Sequence, residues 1–490
     1  MLLQSGLNLG LFWPEISLVI FAVAVILLDL FVERKGFLAL VSIVGLLVSC
    51  GLAVALWGGA PRLAFYNMLA VDHFALFFKV LFLGIAVLVI LASNDYVAKL
   101  KRFQGEYYAL ILLGTVGAML MAAANELISL YISLELLNLS MYALVGFLKD
   151  DRSTEAALKY LLLSGVASAV LLFGMALVYG FTGQTQLVVI ASSIQNMTVS
   201  GLLANPGLIL GVVLMIAGLG FKIGAVPFHM WIPDVYEGAP TPITAFLSVG
   251  SKSAGFAIIL RIFYSAFQSP SNLSLDWGTV FAVLAAITMT VGNIVAIQQS
   301  NIKRMLGYSS IAQAGYVMVG LAAVGLSPAS VTTAQSSILF FLASYSLTNL
   351  GAFIAVIAIC NRINGEGIED FRGMGKRAPV LAMALTLCLI SLIGMPPAAG
   401  FMAKFYVFGT AVQHNLLWLV VIAVLNSVIS AYYYLRVAKV MWTGEPASEE
   451  KVVSSGPFRL SLGLACLGVV VFGILPGLGM KVAEIASRIF

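Results

Sequence analysis

Charge is what this chain has least of. Lys, Arg, Asp and Glu make up 10% of its 490 residues, against about 25% in an ordinary soluble domain. That shortage excludes an ordinary water-soluble globule. Cysteine is scarce too: Cys50, Cys360, Cys388 and Cys466 stand singly in or beside apolar runs, with no C-x-x-C and no histidine close by in sequence. The spacing argues against a metal or iron-sulfur site within the chain. A basic leader and a small-residue cleavage site are also lacking before the first apolar run, which follows Trp13, Pro14 and Glu15. That run therefore reads as a retained span rather than a signal peptide.

What is present is apolar length. The chain is 61% hydrophobic, and its apolar runs repeat from end to end at the roughly 20 residues a helix needs to cross about 30 Å of hydrocarbon. The expected fold is an all-α polytopic membrane protein, one integral domain over 1–490. About fourteen helices are expected, at roughly 12–32, 38–58, 72–93, 106–124, 127–148, 156–182, 208–229, 241–266, 278–298, 304–325, 332–360, 378–412, 415–440 and 458–479. Two segments read as loops: 183–206, GQTQLVVIASSIQNMTVSGLLANP, and Thr443 to Gly456. Three N-terminal helices (1–105) precede two blocks of five, 106–266 and 278–440, and a C-terminal helix lies in 441–490. Because five is odd, consecutive blocks start on opposite sides, which is the geometry of inverted-topology repeats.

Basic residues orient the spans. Loops after odd-numbered helices hold eighteen of the 26 Lys and Arg, including Arg34, Lys35, Lys101, Arg152, Lys303, Lys376 and Lys451; the other face holds Arg62, Lys481 and Arg488. By the positive-inside rule the first face is cytoplasmic, and both termini lie outside, in the periplasm if the cell is Gram-negative. The net charge of +5 mostly reflects these loops, and nothing supports nucleic-acid binding.

Five cations remain within the spans, Lys79, Lys222, Lys252, Arg261 and Lys404, with Glu135 as the one comparably central acid. A charge near the bilayer centre costs about 2.5 to 3.5 kcal/mol on insertion scales, so each such residue is a functional candidate unless a bland role explains it. Glu135 needs a counter-charge, and Lys222 is the natural one; the bland alternative is a static bridge that only fixes packing. Lysine suits proton transfer because burial favours its neutral form and a nearby carboxylate its charged form. Lys252 lies among Ser248, Ser251 and Ser253, whose hydroxyls can pass protons. Lys222 lies among Gly218, Gly220, Gly224 and Pro227, and Lys404 follows Pro396, Pro397 and Gly400. Helices 7 and 12 are thus expected to be broken. Gln313 and Asn426 are the only polar counterparts in the second block to Glu135 and Lys252 in the first.

Other residues carry two readings. His229 is either a proton shuttle or an interfacial histidine beside Trp231. Glu155 and Lys159 are either an ordinary i,i+4 pair or the inner mouth of a path. Glu15, Asp29 and Arg261 read as interface anchors, and Lys79 stands between snorkelling and function.

Four stretches, YISLELLNLSMYALVG around Glu135, TEAALKYLLLSG around Lys159, FKIGAVPFHMWIPDVYEGAPTPITAFLSVGSK around Lys222 and Lys252, and GMPPAAGFMAKF around Lys404, closely resemble the antiporter-like membrane subunits of respiratory complex I, the proton-pumping NADH:quinone oxidoreductase. Lysine rather than glutamate at 404 and the short C-terminus resemble the subunit N branch more than branches M and L. The resemblance implies that Glu135 and Lys222 form the charge-coupled pair of an input half. It makes Lys252 the central relay, Lys404 the terminal site of the output half, and Lys159 and His229 auxiliary. It also implies membrane-arm and peripheral-arm subunits as partners in a bacterial inner membrane. FMN, iron-sulfur clusters, NADH and a quinone are implied only for the assembly, with no redox site in this chain. Two other readings stand beside it: a subunit of a multisubunit sodium/proton antiporter or of a ferredoxin- or deazaflavin-driven relative, and a non-conducting scaffold of a membrane arm.

Overall fold

The computed structural model describes residues 8–32, 36–97, 103–197, 206–267, 277–326, 331–363, 365–446, 451 and 455–489. Hydrocarbon offers backbone N–H and C=O groups no hydrogen-bond partner, so a chain this apolar must satisfy them within helices. The helices run in the order α1 (Trp13–Phe31), α2 (Gly36–Ala55), α3 (His73–Val97), α4 (Gln104–Ala123), α5 (Leu127–Val145), α6 (Asp151–Thr182), α7 (Leu187–Asn196), α8 (Pro206–Ile223) and α9 (Trp231–Gly238). They continue with α10 (Thr241–Ser265), α11 (Trp277–Ile297), α12 (Ile302–Leu326), α13 (Val331–Ile363), α14 (Pro379–Ile393), α15 (Ala399–Gln413), α16 (Leu417–Thr443), α17 (Gly456–Ile474) and α18 (Pro476–Ala486). The one described sheet is a short antiparallel hairpin, β1 (Arg62–Ala64) with β2 (Leu69–Val71). Twelve described helices are long and apolar enough to cross a membrane. This is a multi-pass membrane protein.

Burial sorts these helices into a centre and a rim. The apolar window of α10 is wholly buried and that of α13 is 89% buried, whereas those of α6, α16 and α17 are buried by a third or less. On the rim, Phe31, Leu30 and Val428 point outward with most of their surface exposed, as side chains do that meet lipid rather than water. Small residues bring some helices unusually close: a Cβ at Gly315 would lie 2.7 Å from the Met289 backbone N, and one at Gly292 2.6 Å from that of Ala312. Packing of this kind holds helices together where no hydrophobic effect drives them.

Several expectations are corrected. The segment from 183 is not merely a surface loop: α7 buries Leu187, Ile190 and Ile194, and Leu187 N–H donates to Asn125 O. Three apolar residues at i, i+3 and i+7 give it one face to bury, while 198–205 lie outside the described residues. Glu15 is no interface anchor, being 1% exposed and ion-paired with Lys79 at 2.7 Å. Arg261 is likewise buried; it donates from Nη1 and Nη2 to Asp72 at 3.0 and 2.9 Å and from Nε to Ala122 O. In each case a partner distant in the chain makes burial tolerable, which one residue's context cannot reveal. Lys303, counted among loop cations, is 3% exposed and pairs with Glu366 at 2.7 Å. Arg34, Lys35, Lys101 and Arg102 lie outside the described residues.

Candidate functional site

Both expected helix breaks are present, and each is built on a glycine. After α8 the chain turns at Gly224, φ +77°, and after α14 at Gly394, φ +91°, conformations that a side chain with Cβ disfavours. A Cβ at Gly224 would stand 3.5 Å from Lys252 Nζ, and one at Gly394 3.5 Å from Lys404 Nζ. Each break therefore presents bare backbone to a lysine amine. Breaking a helix also frees its last carbonyls. Lys404 Nζ donates to two of them, Leu392 O at 3.1 Å and Ile393 O at 2.8 Å, and to Ser427 Oγ at 2.9 Å. A cation at the C-terminal end of a half-helix meets the negative end of its dipole. At the first break the Trp231 indole N–H donates to Phe221 O at 3.0 Å, a carbonyl of the last turn of α8.

Lys222, two residues before Gly224, is 3% exposed. Its amine donates to Asn138 Oδ1 at 2.5 Å, and Asn138 Nδ2 donates to Glu135 Oε1 at 3.4 Å. Ser168 of α6 also donates to Glu135 Oε1, at 2.5 Å. Glu135 and Lys222 are thus brought together, but through an amide rather than by direct contact. Glu135 is only half-buried, on a face of α5 where Ile132 and Leu139 are about 60% exposed. A void of about 10 Å³ lined by Asn138, Ser164, Ser168 and Lys222 separates α5, α6 and α8, close to the smallest space that holds one water.

Lys252 is 2% exposed and sits just after a π-helical turn, Leu247–Ser251, a distortion frequent at functional sites. Its amine donates to Ser310 O at 2.7 Å and Ser310 Oγ at 2.8 Å. Three residues on along α12, Gln313 Nε2 donates to Leu392 O at 3.0 Å, a carbonyl that also holds Lys404. Three further on, the Tyr316 ring lies 4.3 Å from Lys404 Nζ, a cation-π distance. Residues three apart share a helix face, so α12 lines both lysine sites with one stripe. The sequence marks Gln313, with Asn426, as a polar counterpart in the second block; Ser310 and Tyr316 carry no signal there beyond that spacing. Asn138 and Ser168 were likewise missed, since neutral polar residues are common in helix interfaces.

Asn426, the other expected counterpart, lies in a separate polar cluster. It donates to Thr290 Oγ1 at 3.1 Å and accepts from Asn293 Nδ2 at 3.2 Å, while Tyr433 donates to Asn293 Oδ1 at 2.9 Å. Near Lys252, Ser253 Oγ is buried without a protein partner, as are Ser344 Oγ and Asn349 Oδ1 on α13. His229 lies half-buried within the first break. Lys159 is 43% exposed and pairs with Glu155 at 2.7 Å and with Asp234 of α9 at 3.0 Å. Arg304 pairs with Asp234 at 2.7 Å and Glu237 at 2.9 Å. Together with Arg152 these residues line a polar hollow of about 200 Å³.

The NADH:quinone oxidoreductase/Mrp antiporter transmembrane family matches residues 124–430. Subunit N of NADH-quinone oxidoreductase from Dehalococcoides mccartyi is 51% identical over 484 residues, 98% of this chain and 99% of the relative. The chain belongs to the NADH-quinone oxidoreductase subunit N family. A chain of respiratory complex I from Thermus thermophilus, solved with bound aureothin, shares 30% identity with this family member over 96% of this chain and 98% of that one, at a TM-score of 0.78. The Mrp complex of Dietzia contains a chain that covers 98% of this one, with 97% of its own length matched, at a TM-score of 0.86 but 18% identity. That likeness is one of fold. Glu135, Lys159, Lys222, His229, Lys252 and Lys404 all fall within the matched family region.

Proposed function

We propose that this subunit N family member carries protons within the membrane arm of a bacterial NADH:quinone oxidoreductase, assembled with the other membrane-arm and peripheral-arm subunits. NADH, FMN, iron-sulfur clusters and the quinone belong to those other subunits. Glu135, Asn138 and Lys222 form the input unit, Lys252 the centre and Lys404 the output. Lys159 and His229 are auxiliary, Lys159 at the polar hollow where a proton enters. The carrying observation is the placement of Lys252 and Lys404 against one stripe of α12, with Gln313 and Lys404 sharing Leu392 O. Proton transfer along such a line needs a change of contact, and a lysine can supply it by moving between a loaded, carbonyl-bound ammonium and a neutral amine.

The reading includes two inverted five-helix blocks, 106–266 and 278–440, supported by the two glycine breaks that each face a lysine. It also places both termini outside, supported by the concentration of basic residues on the opposite face. A sodium/proton antiporter subunit is less well supported, since the Dietzia chain is matched at 18% identity and the Dehalococcoides chain at 51%.

Lys404 provides the test. Arginine keeps the charge and roughly the reach yet does not deprotonate at accessible pH. Lys404→Arg is expected to assemble and to lose at least about nine-tenths of pumping, because a positioned proton-transfer group contributes about a hundredfold or more. Lys404→Ala should behave alike. Proton pumping per quinone reduced in vesicles is the measurement, with assembly read from the amount of intact complex; full pumping by Lys404→Arg removes Lys404 from the path.

A further inference from the structure

A further cavity lies apart from the lysine line, and none of the lysines of that line is among its lining residues. It lies between the N-terminal halves of α14 and α17, has a volume of about 760 Å³, and is walled by Val380, Met383, Leu387 and Leu462. Val380 and Met383 are 71% and 62% exposed, so nothing among the described residues covers that wall. The rim is different in kind: Lys376, Lys451 and Arg459 line the same cavity, and all three are exposed. No acidic residue occurs among the described lining residues. Both flanking helices also begin at this end, α14 at Pro379 and α17 at Gly456. The N–H groups of their first turns, apart from those that Pro379 and Pro457 lack, and the positive ends of their dipoles add to the cationic rim.

We infer that this groove is a binding site for an anionic phospholipid, its phosphodiester held by Lys376, Lys451, Arg459 and the two helix N-termini, and its acyl chains laid between α14 and α17. The division of the cavity matches such a molecule. An apolar slot accepts hydrocarbon chains that extend into the bilayer, while basic pockets between membrane helices take acidic head groups. A neutral lipid would leave the three cations and both helix ends unanswered. A neighbouring protein helix would fill the slot but needs no cluster of cations at its mouth. The site is independent of the proton path, because none of its lining residues belongs to that path.

The test uses the whole complex reconstituted in vesicles of phosphatidylcholine with a minor share of phosphatidylglycerol. A photoreactive benzophenone side chain is placed by Met383→p-benzoylphenylalanine, and the cross-linked peptide is identified by mass spectrometry. Phosphatidylglycerol adducts are expected to exceed their share in the bilayer by at least about fivefold, the factor one well-placed cation near an anionic head group supplies. The enrichment should vanish in the Lys376→Gln, Lys451→Gln, Arg459→Gln triple variant. Adducts in proportion to bulk lipid, or a cross-link to another protein chain, overturn the proposal. The comparison of the two lipids in the otherwise unaltered complex decides the matter even if the triple variant does not assemble.

Discussion

Asn138 stands where a direct ion pair would otherwise be. Asn138 both accepts from Lys222 and donates to the Glu135 carboxylate, so on the proposed path Glu135 would polarise Lys222 through the amide without locking it. Asn138→Leu should therefore remove the coupling, and a hydrogen bond to a charged group is worth about 1.5–3 kcal/mol, enough to cut the coupled step by about an order of magnitude. In that background Glu135→Ala is expected to add little further loss, because the residues act as one unit. Pumping per quinone reduced, measured for both single variants and the double, checks this; additive losses would mean that Glu135 acts on Lys222 by another route. Asn138→Asp should also pump poorly, for the opposite reason: a carboxylate at hydrogen-bond distance holds the lysine in its charged form. The charged members of this site were legible in sequence because charge is rare within apolar runs. Asn138, Ser168 and Ser310 were not, because a neutral polar side chain in a helix interface is unremarkable until its neighbour across the interface is known.

Among the elements, the broken helices were legible and the anchors were not. Pro396, Pro397 and Gly400 announce a break, which the structure places at Gly394, and Lys404 ten residues later reaches back to the carbonyls that the break frees. A Cβ at Gly394 would stand 2.9 Å from Lys404 Cδ, on a backbone where a left-handed L-residue costs about 1–2 kcal/mol. Gly394→Ala is expected to lower the thermal stability of the assembled complex and to reduce pumping, by pushing Lys404 off Leu392 O and Ile393 O. Gly409→Ala on the same α15 is the control, since nothing lies within 4 Å of its added methyl; equal losses from the two would count against a special role for the break. The pairs Glu15–Lys79 and Asp72–Arg261 went unread for a related reason. Each joins residues distant in the chain, and an anchor at the membrane surface and a buried pair look alike when only one helix is in view.

At the scale of the whole molecule, composition alone fixed the class, because a chain with so little charge has one solvent available to it. Orientation is a separate matter and rests on the basic loops. Single cysteines at Arg152 and Lys376 are expected to resist an impermeant maleimide in intact cells and to react once the membrane is opened, while one at Arg62 reacts in both; labelling of Lys376→Cys in intact cells would reverse the topology. The halves of the molecule also meet on shared ground. Ser310, Gln313 and Tyr316 rise about 4.5 Å per step along α12, and two of them grip the lysine sites of opposite halves. On the proposed path such a helix would act as a camshaft: a turn by a fraction of a revolution would alter Ser310 against Lys252 and Gln313 against Leu392 in the same stroke. The timing between Lys252 and Lys404 on that path would then be set by the stiffness of one rod.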